Sequence, residues 1–133
     1  MVKHTVEIIK INWVERTALE AEIIFKLGDA TYSAFSHSCN FQEGEIVDVY
    51  FDFVVSDSND DTFFNGNDLH LKKIIQDENQ STSYKCYGQI KSIHPLTIDC
   101  GTISLTFGDW INDDRVIGWY VYFKIFQLEI SKI

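Results

Sequence analysis

The stretch Ile46-Val-Asp-Val-Tyr-Phe-Asp-Phe-Val-Val55 decides the fold class of this chain. Its odd-numbered positions are all apolar, and Asp48, Tyr50 and Asp52 lie between them. An alternation with a period of two is typical of a β-strand that buries one face and exposes the other. The stretch therefore predicts a strand whose solvated face carries two aspartates and a tyrosine.

The same alternation recurs along the rest of the chain. Apolar and polar side chains alternate over residues 21–27 and 103–107, with turn residues at Gly28-Asp29 and Asp99-Cys-Gly101. Val6, Ile8 and Trp13 mark a further strand, and the last long strand runs over about residues 116–130. Many strands with little helix predict one all-β domain over residues 1–133, a small antiparallel barrel or sandwich of about 7–9 strands. A long strand from Tyr84, ended by His94-Pro95, gives the second half the rhythm of an OB-type barrel, which names a shape and not a family.

A weak internal repeat divides the chain into two similar β-meander halves, about 4–55 and 84–131. Thr31-Tyr-Ser-Ala-Phe35 resembles Thr102-Ile-Ser-Leu-Thr-Phe107 at an offset of 71 residues, and Val49-Tyr-Phe51 resembles Val121-Tyr-Phe123 at an offset of 72. The repeat predicts a duplicated unit. The alternative is that strand-rich sequences resemble one another under any shift.

The connection between the halves, residues 56–83, is polar at both ends and apolar in the middle. Leu69, Leu71, Ile74 and Ile75 predict either one short helix over a barrel end or an extra strand. Connections of this length are uncommon in compact domains and are often functional. We therefore expect this segment to contribute to any site.

Composition places the chain among ordinary globular proteins and argues against nucleic acid as the main partner. The chain has 133 residues, 45% hydrophobic and 23% charged, with a net charge of -9. Residues 1–66 hold twelve acids and four Lys or Arg, whereas the remainder holds eight acids and seven bases. Phosphate binding needs the opposite charge. The acidic first half predicts a basic partner surface, unless the acid only keeps an aromatic-rich domain soluble.

Cysteine usage and the N-terminus indicate the compartment. Cys39, Cys86 and Cys100 are odd in number and widely spaced, which argues against a disulfide framework. Residues 2–7 lack the apolar core of a signal peptide, and no apolar run is long enough to cross a bilayer. The sequence predicts a soluble cytoplasmic protein.

One acidic run is the nearest approach to a metal motif. Counted as an EF-hand loop, it offers oxygen ligands from Asp57, Asn59 and Asp61, with Asp68 at position twelve. Position six is Thr62 instead of glycine, and aspartate is too short for the usual bidentate twelfth ligand. Such a run also makes a plain turn-rich loop. It predicts at most a weak calcium site, and we expect no cofactor.

Catalysis finds little support in the sequence. His37-Ser-Cys39 brings an imidazole and a thiol near each other, but a lone thiol in a β protein is usually a small buried apolar group. The common nucleotide-binding, hydrolase and metalloprotease motifs do not occur in the sequence. The sequence therefore leans against an enzyme.

Aromatic side chains concentrate on the last long strand. A strict alternation assigns Trp119, Val121, Phe123 and Ile125 to one face and Tyr120, Tyr122, Phe126 and Leu128 to the other. Two apolar faces predict a strand that is central or covered by a partner, although the 56–83 connection could equally cover it. The predicted interaction face comprises Trp119, Tyr120, Tyr122 and Lys124 together with Asp48, Tyr50 and Asp52.

Three functions fit these observations. The first is a non-enzymatic interaction module that binds a basic protein partner or itself, as a homodimer, in an inhibitor, immunity-like or adaptor role. The second is an OB-like binder of single-stranded nucleic acid, in which Trp119, Tyr120 and Tyr122 stack bases beside Lys124. The third is a small ligand-binding barrel or an unrecognised hydrolase with polar groups in its mouth.

Overall fold

Nine strands, one short helix and a 3₁₀ turn form the described part of the chain in the computed structural model. The structure describes residues 1–55 and 60–133, with the backbone alone for residues 60 and 61. The elements are β1 Lys3–Glu15, β2 Glu20–Leu27, β3 Ala30–Ser36, β4 Ile46–Val55, α1 Asp60–Asn65, β5 Lys73–Gln76, β6 Tyr84–Ile93, β7 Leu96–Asp99, β8 Ser104–Gly108, the 3₁₀ turn Asp114–Val116 and β9 Tyr120–Lys132. The predicted all-β fold with one short helix is confirmed.

The stretch that predicted the fold forms β4 along its whole length. Val49 and Phe51 are buried, whereas Asp52 is exposed and Asp48 and Tyr50 are half-buried. The strand pairs with β1 on one side and with β9 on the other. It is therefore a central strand with one apolar face, as the alternation predicts.

Five of the strands close into a ring. Pairing runs β3-β2-β1-β4-β9, and β3 meets β9 in parallel at Phe35 and Glu129. All other ladders are antiparallel. Four strands of the ring come from residues 3–55 and one from the C-terminal strand, so the closed barrel is not contained in the second half.

The strand order of the sheet is symmetric about the β4–β9 ladder. From β4 outward the neighbours are β1, β2 and β3, and from β9 outward they are β6, β7 and β8. In each half the first strand pairs with the second and the fourth. This order agrees with an internal duplication, which stays a prediction.

One apolar core joins the ring to the second meander. Phe51 packs on Phe25 inside the ring, while Phe53 lies between Phe107 and Phe123 with ring centroids 4.7 and 6.5 Å away. β6 approaches β7 closely at Gly88, where an added Cβ would lie 2.5 Å from Cγ2 of Ile98. The contacts of Phe53 therefore join the two meanders in one apolar interior.

Tyr84 fills the gap that the short β3–β9 pairing leaves in the ring. Its hydroxyl accepts from the backbone N–H of Ser33 at 2.8 Å and donates to the Ser33 carbonyl at 2.7 Å. Both backbone groups of a buried strand position are thereby satisfied by one side chain. Burial raises the pKa of Tyr84, so the hydroxyl stays protonated.

A bulge in β9 corrects the faces predicted for this strand. Val54 pairs with Gln127 and Val55 with Ile125, so Phe126 is one extra residue. The extra residue turns Leu128 into the core, where it is fully buried. The prediction that Leu128 shares a face with the two tyrosines is wrong, because strict alternation does not survive a bulge.

The apolar middle of the connection forms the extra strand and not the helix, because Ile74 and Ile75 lie in β5 and the one short helix lies before them. Helix α1 occupies residues 60–65, and the extra strand β5 occupies Lys73–Gln76 and pairs with β6. Within the described residues, no helix has the length and apolarity needed to cross a membrane.

Candidate functional site

The structure divides the predicted interaction face between the two ends of β9. Tyr120 and Tyr122 lie at the start of the strand, where it pairs with β6. Asp52 lies beside the other end, directly opposite Glu129. Aromatic and acidic surfaces are thus separate sites, and each has its own geometry.

An aromatic slot lies at the start of β9. We use this name for the open cavity of about 390 Å³ between Phe64, Asp68, His70, Trp119 and Tyr120. Phe64 and Trp119 meet edge to face, with centroids 5.8 Å apart and planes at 86°. His70 stacks on Tyr120 at 4.3 Å and 10°. Trp119 remains half exposed, so a ligand can reach its ring.

Asn67 fixes the loop that forms one wall of the slot. The side chain is buried, and its Nδ2 donates to the carbonyls of Leu71 at 2.9 Å and Val121 at 3.1 Å. Its Oδ1 accepts from the Leu71 N–H at 2.8 Å. One amide therefore ties the connection to β9, at the cost of complete desolvation of a polar group.

Gly66 allows the helix to reach the strand. An added Cβ would lie 2.5 Å from the Thr62 carbonyl oxygen and 2.7 Å from Cβ of Tyr122, which leaves no room for a side chain. Tyr122 is consequently half-buried below the connection, and its ring contacts Tyr87 at 4.9 Å. Lys124 is exposed on the same strand, opposite Lys85.

An acidic groove lies at the other end of β9, along the seam of the ring. We define it by Ser36, His37, Asn40, Asp52, Glu129 and Lys132, which border a cavity of about 370 Å³. Nε2 of His37 lies 2.7 Å from the Glu129 carboxylate, and Nδ1 lies 3.9 Å from that of Glu20. Lys132 Nζ is held by the Asn40 carbonyl at 2.8 Å and by Glu45 at 3.1 Å.

The remaining predicted residues of the face lie along β4. Asp48 accepts from the Thr5 hydroxyl at 2.6 Å and lies 3.7 Å from Nζ of Lys3. Tyr50 is half-buried and pairs with Lys3 and Ser131. Asp52 has no Lys, Arg or His nitrogen within 4.0 Å among the described residues.

The three cysteine thiols differ in exposure from His37, the imidazole that the sequence places two residues before Cys39. Cys39 is buried, whereas His37 is exposed and bonded to Glu129. Cys86 and Cys100 are buried as well, and burial raises the pKa of Cys86 well above its usual value and that of Cys100 to about 12. Thiols in this state are poor nucleophiles.

The predicted calcium run falls largely outside the described residues. This holds for Asp57, for Asn59 and for the side chain of Asp61. Asp68 lies in the aromatic slot. Across residues 1–55 and 62–133, no group of three or more His, Cys, Asp or Glu side chains is arranged to hold a metal ion.

Sequence reasoning missed the residues that build both sites by long-range contact. Asn67 looks like a turn residue in Asn65-Gly-Asn67, and Glu129 looks like an isolated surface acid. The length of the connection was the one available signal for the slot. No family model matches the chain, and the searches of curated proteins and of solved structures found no match to it.

Proposed function

We propose that the protein is a non-enzymatic interaction module that binds a basic protein partner through the acidic groove. The observation that carries this proposal is the opposition of Asp52 and Glu129 across the β4–β9 ladder. Like charges in directly opposed positions destabilise a sheet. His37 and Gln127 already bind the Glu129 carboxylate. Asp52 has no cationic partner among the described residues, and a lysine or arginine side chain of a partner would supply one.

The charges around the pair strengthen the attraction. Glu20 and Glu129 flank His37 on opposite sides of its ring, and with Asp52 they make three carboxylates along this seam. Lys132 is already bonded to Glu45. Because the whole chain carries a net charge of -9, a basic surface would also be steered toward it from a distance, and salt would weaken that steering.

Self-association through this groove is the weaker form of the proposal. Two copies would bring two acidic surfaces together, and like-charge juxtaposition costs free energy. A basic partner meets no such penalty. The role of an inhibitor, immunity-like protein or adaptor accordingly stays the preferred one.

A single-stranded nucleic-acid binder is the second candidate, because the five-stranded ring resembles an OB-type barrel. An OB-fold binds oligonucleotides on the face of its second and third strands. In this chain Glu20, Glu22 and Lys26 lie on the outward side of β2, so the net charge of that face is negative and would repel phosphates. The charge on that face favours the protein partner.

A ligand-binding barrel or hydrolase receives less support. The ring interior is occupied by buried apolar side chains, among them Ile8, Phe25 and Phe51. A filled barrel has no room for a small molecule.

Affinity capture with charge-matched variants tests the proposal. The wild-type chain is compared with Asp52→Asn/Glu129→Gln, which neutralises the opposed pair, and with Glu7→Gln/Glu43→Gln, which removes the same charge at exposed positions elsewhere. Each is incubated with nuclease-treated lysate and washed at low and then high salt. The partner retained is then purified, and its affinity for each variant is measured.

We expect one basic protein to be retained at low salt and to bind the groove variant at least about tenfold more weakly than the wild type or the control variant. Equal affinity for all three chains would contradict the groove. Capture of the chain alone would contradict the basic partner. If the capture is repeated with lysate that has not been treated with nuclease, retention of an oligonucleotide would favour the second candidate.

A further inference from the structure

The aromatic slot lies apart from the acidic groove. Glu129 lies nine positions after Tyr120 in β9, which is roughly 30 Å along an extended strand. The two cavities share no lining residue. The chemistry of the slot therefore does not rest on the proposed function.

Two ring planes at a right angle form the corner of the slot. Phe64 and Trp119 cross at 86°, and the face of an aromatic ring carries the negative part of its quadrupole. Tryptophan attracts cations more strongly than the other aromatic residues. The protein already uses this interaction elsewhere, since Arg16 lies 5.2 Å from the centroid of Trp13.

A carboxylate completes the slot. Asp68 is exposed at its rim and has no Lys, Arg or His nitrogen within 4.0 Å among the described residues. Tyr120 and His70 also line the cavity, and their rings stack on each other. Three aromatic side chains and one carboxylate around an open cavity match the requirements of a cation that is large and weakly hydrated.

The slot is held in place before any ligand arrives. Asn67 anchors the loop on β9 and β6, with its Nδ2 also 3.4 Å from the Gly88 carbonyl. Gly66 lets the end of α1 lie against Tyr122. Preorganisation of this kind lowers the entropy that binding must overcome.

We propose that the aromatic slot binds an alkylated ammonium group, either a quaternary ammonium head or a methylated lysine side chain. A simple lysine ammonium is strongly hydrated and gains less from ring faces than a methylated one. A nucleobase would bring phosphates to an acidic protein and to the Asp68 carboxylate. The alkylated cation matches both the rings and the charge.

The test compares a cation with its neutral isostere on the full chain. Choline and 3,3-dimethylbutan-1-ol have the same shape and differ in charge. Each is titrated at pH 8, where imidazoles are ordinarily neutral, while the backbone amide signals and the indole N–H signals of the three tryptophans are followed by NMR. We expect saturable shifts at Trp119 with choline and at least about tenfold weaker binding of the alcohol.

Variants locate the site. Trp119→Ala should weaken choline binding about tenfold and Asp68→Asn severalfold, because each removes one source of attraction to the cation. Trp119→Phe keeps a ring and should retain part of the affinity. Trp110→Ala removes an exposed tryptophan outside the slot and should change nothing. Circular dichroism checks that each variant is folded.

Equal binding of choline and the alcohol, or shifts that do not saturate, would overturn the proposal. So would unchanged choline affinity in folded Trp119→Ala. A second arm titrates a trimethyllysine peptide and its unmodified lysine form. Tighter binding of the methylated peptide than of choline identifies a protein as the source of the cation, and the reverse order identifies a free small molecule.

Discussion

The first strand of each half sends a side chain to the third strand of the other half, and the two contacts differ. Tyr84 of β6 binds Ser33 of β3, while His4 of β1 accepts from the backbone N–H of Ser104 in β8 at 3.1 Å. Ser33 and Ser104 hold matching positions of the predicted repeat, 71 residues apart. At these two matching positions, a tyrosine hydroxyl therefore binds the backbone in one half and a histidine imidazole binds it in the other.

The difference lies in how completely each contact is satisfied. The Tyr84 hydroxyl is both donor and acceptor, so it pairs with both backbone groups of Ser33. The imidazole of His4 accepts one bond through Nε2, and its buried Nδ1 makes no hydrogen bond of standard geometry to a described residue. Burial lowers the pKa of His4, and a weaker interaction with the Val2 backbone raises it in smaller measure. One contact tolerates any physiological pH, whereas the other requires a neutral ring.

Removal of the Tyr84 hydroxyl should lower the free energy of unfolding more than any other change to these two contacts. Tyr84→Phe leaves the N–H and the carbonyl of Ser33 without their buried partner, and we expect a loss of about 2 kcal/mol in the free energy of unfolding. Denaturant titration measures it. Tyr50→Phe removes a hydroxyl from the outer face of β4 as the matched control. Equal stability of both variants would show that the backbone of Ser33 does not need the Tyr84 hydroxyl.

Replacement of His4 should lower the free energy of unfolding less than removal of the Tyr84 hydroxyl. His4→Phe keeps a ring beside Phe51, whose centroid lies 5.1 Å away, but leaves the Ser104 N–H without its acceptor. We expect a loss of about 1 kcal/mol, because a single bond to a half-buried group is removed. Hydrogen exchange of the Ser104 amide should accelerate in the variant. An unchanged exchange rate would mean that β8 does not depend on this contact.

The smallest expected effect is a dependence of stability on pH, which of the two contacts only the one through His4 can produce. Because the folded-state pKa of His4 lies below 6.5, the unfolded chain binds more protons between these two values. The stabilisation is complete above pH 6.5 and is lost as the pH falls toward the folded-state pKa. Denaturant titrations between about pH 8 and pH 5 measure this slope.

His4→Phe should flatten the slope, because the titrating group is gone. The exposed His94 supplies the control, since His94→Gln should keep the wild-type slope. A slope that survives in His4→Phe would assign the pH dependence to other groups. The two contacts would then differ only in their number of hydrogen bonds, two for Tyr84 and one for His4.

The sequence predicts features that depend on neighbouring residues better than features that depend on residues far apart in the chain. The alternation in β4 is local, and its buried and exposed positions follow it along the strand. The same reasoning failed after Phe126, because the bulge arises from how β9 fits against β4. The connection was recognisable by its length, yet the buried amide of Asn67 depends on carbonyls in β6 and β9.

The sequence by itself determined the fold class and the sign of the surface. Period-two alternation leaves a strand few other ways to bury its apolar side chains, and twelve acids in residues 1–66 make that half negative in any packing. The tertiary structure alone decided that Asp52 faces Glu129, that Tyr84 and His4 cross between the halves, and that Phe64 meets Trp119. These pairs are far apart in the chain, and only strand order and register bring them into contact.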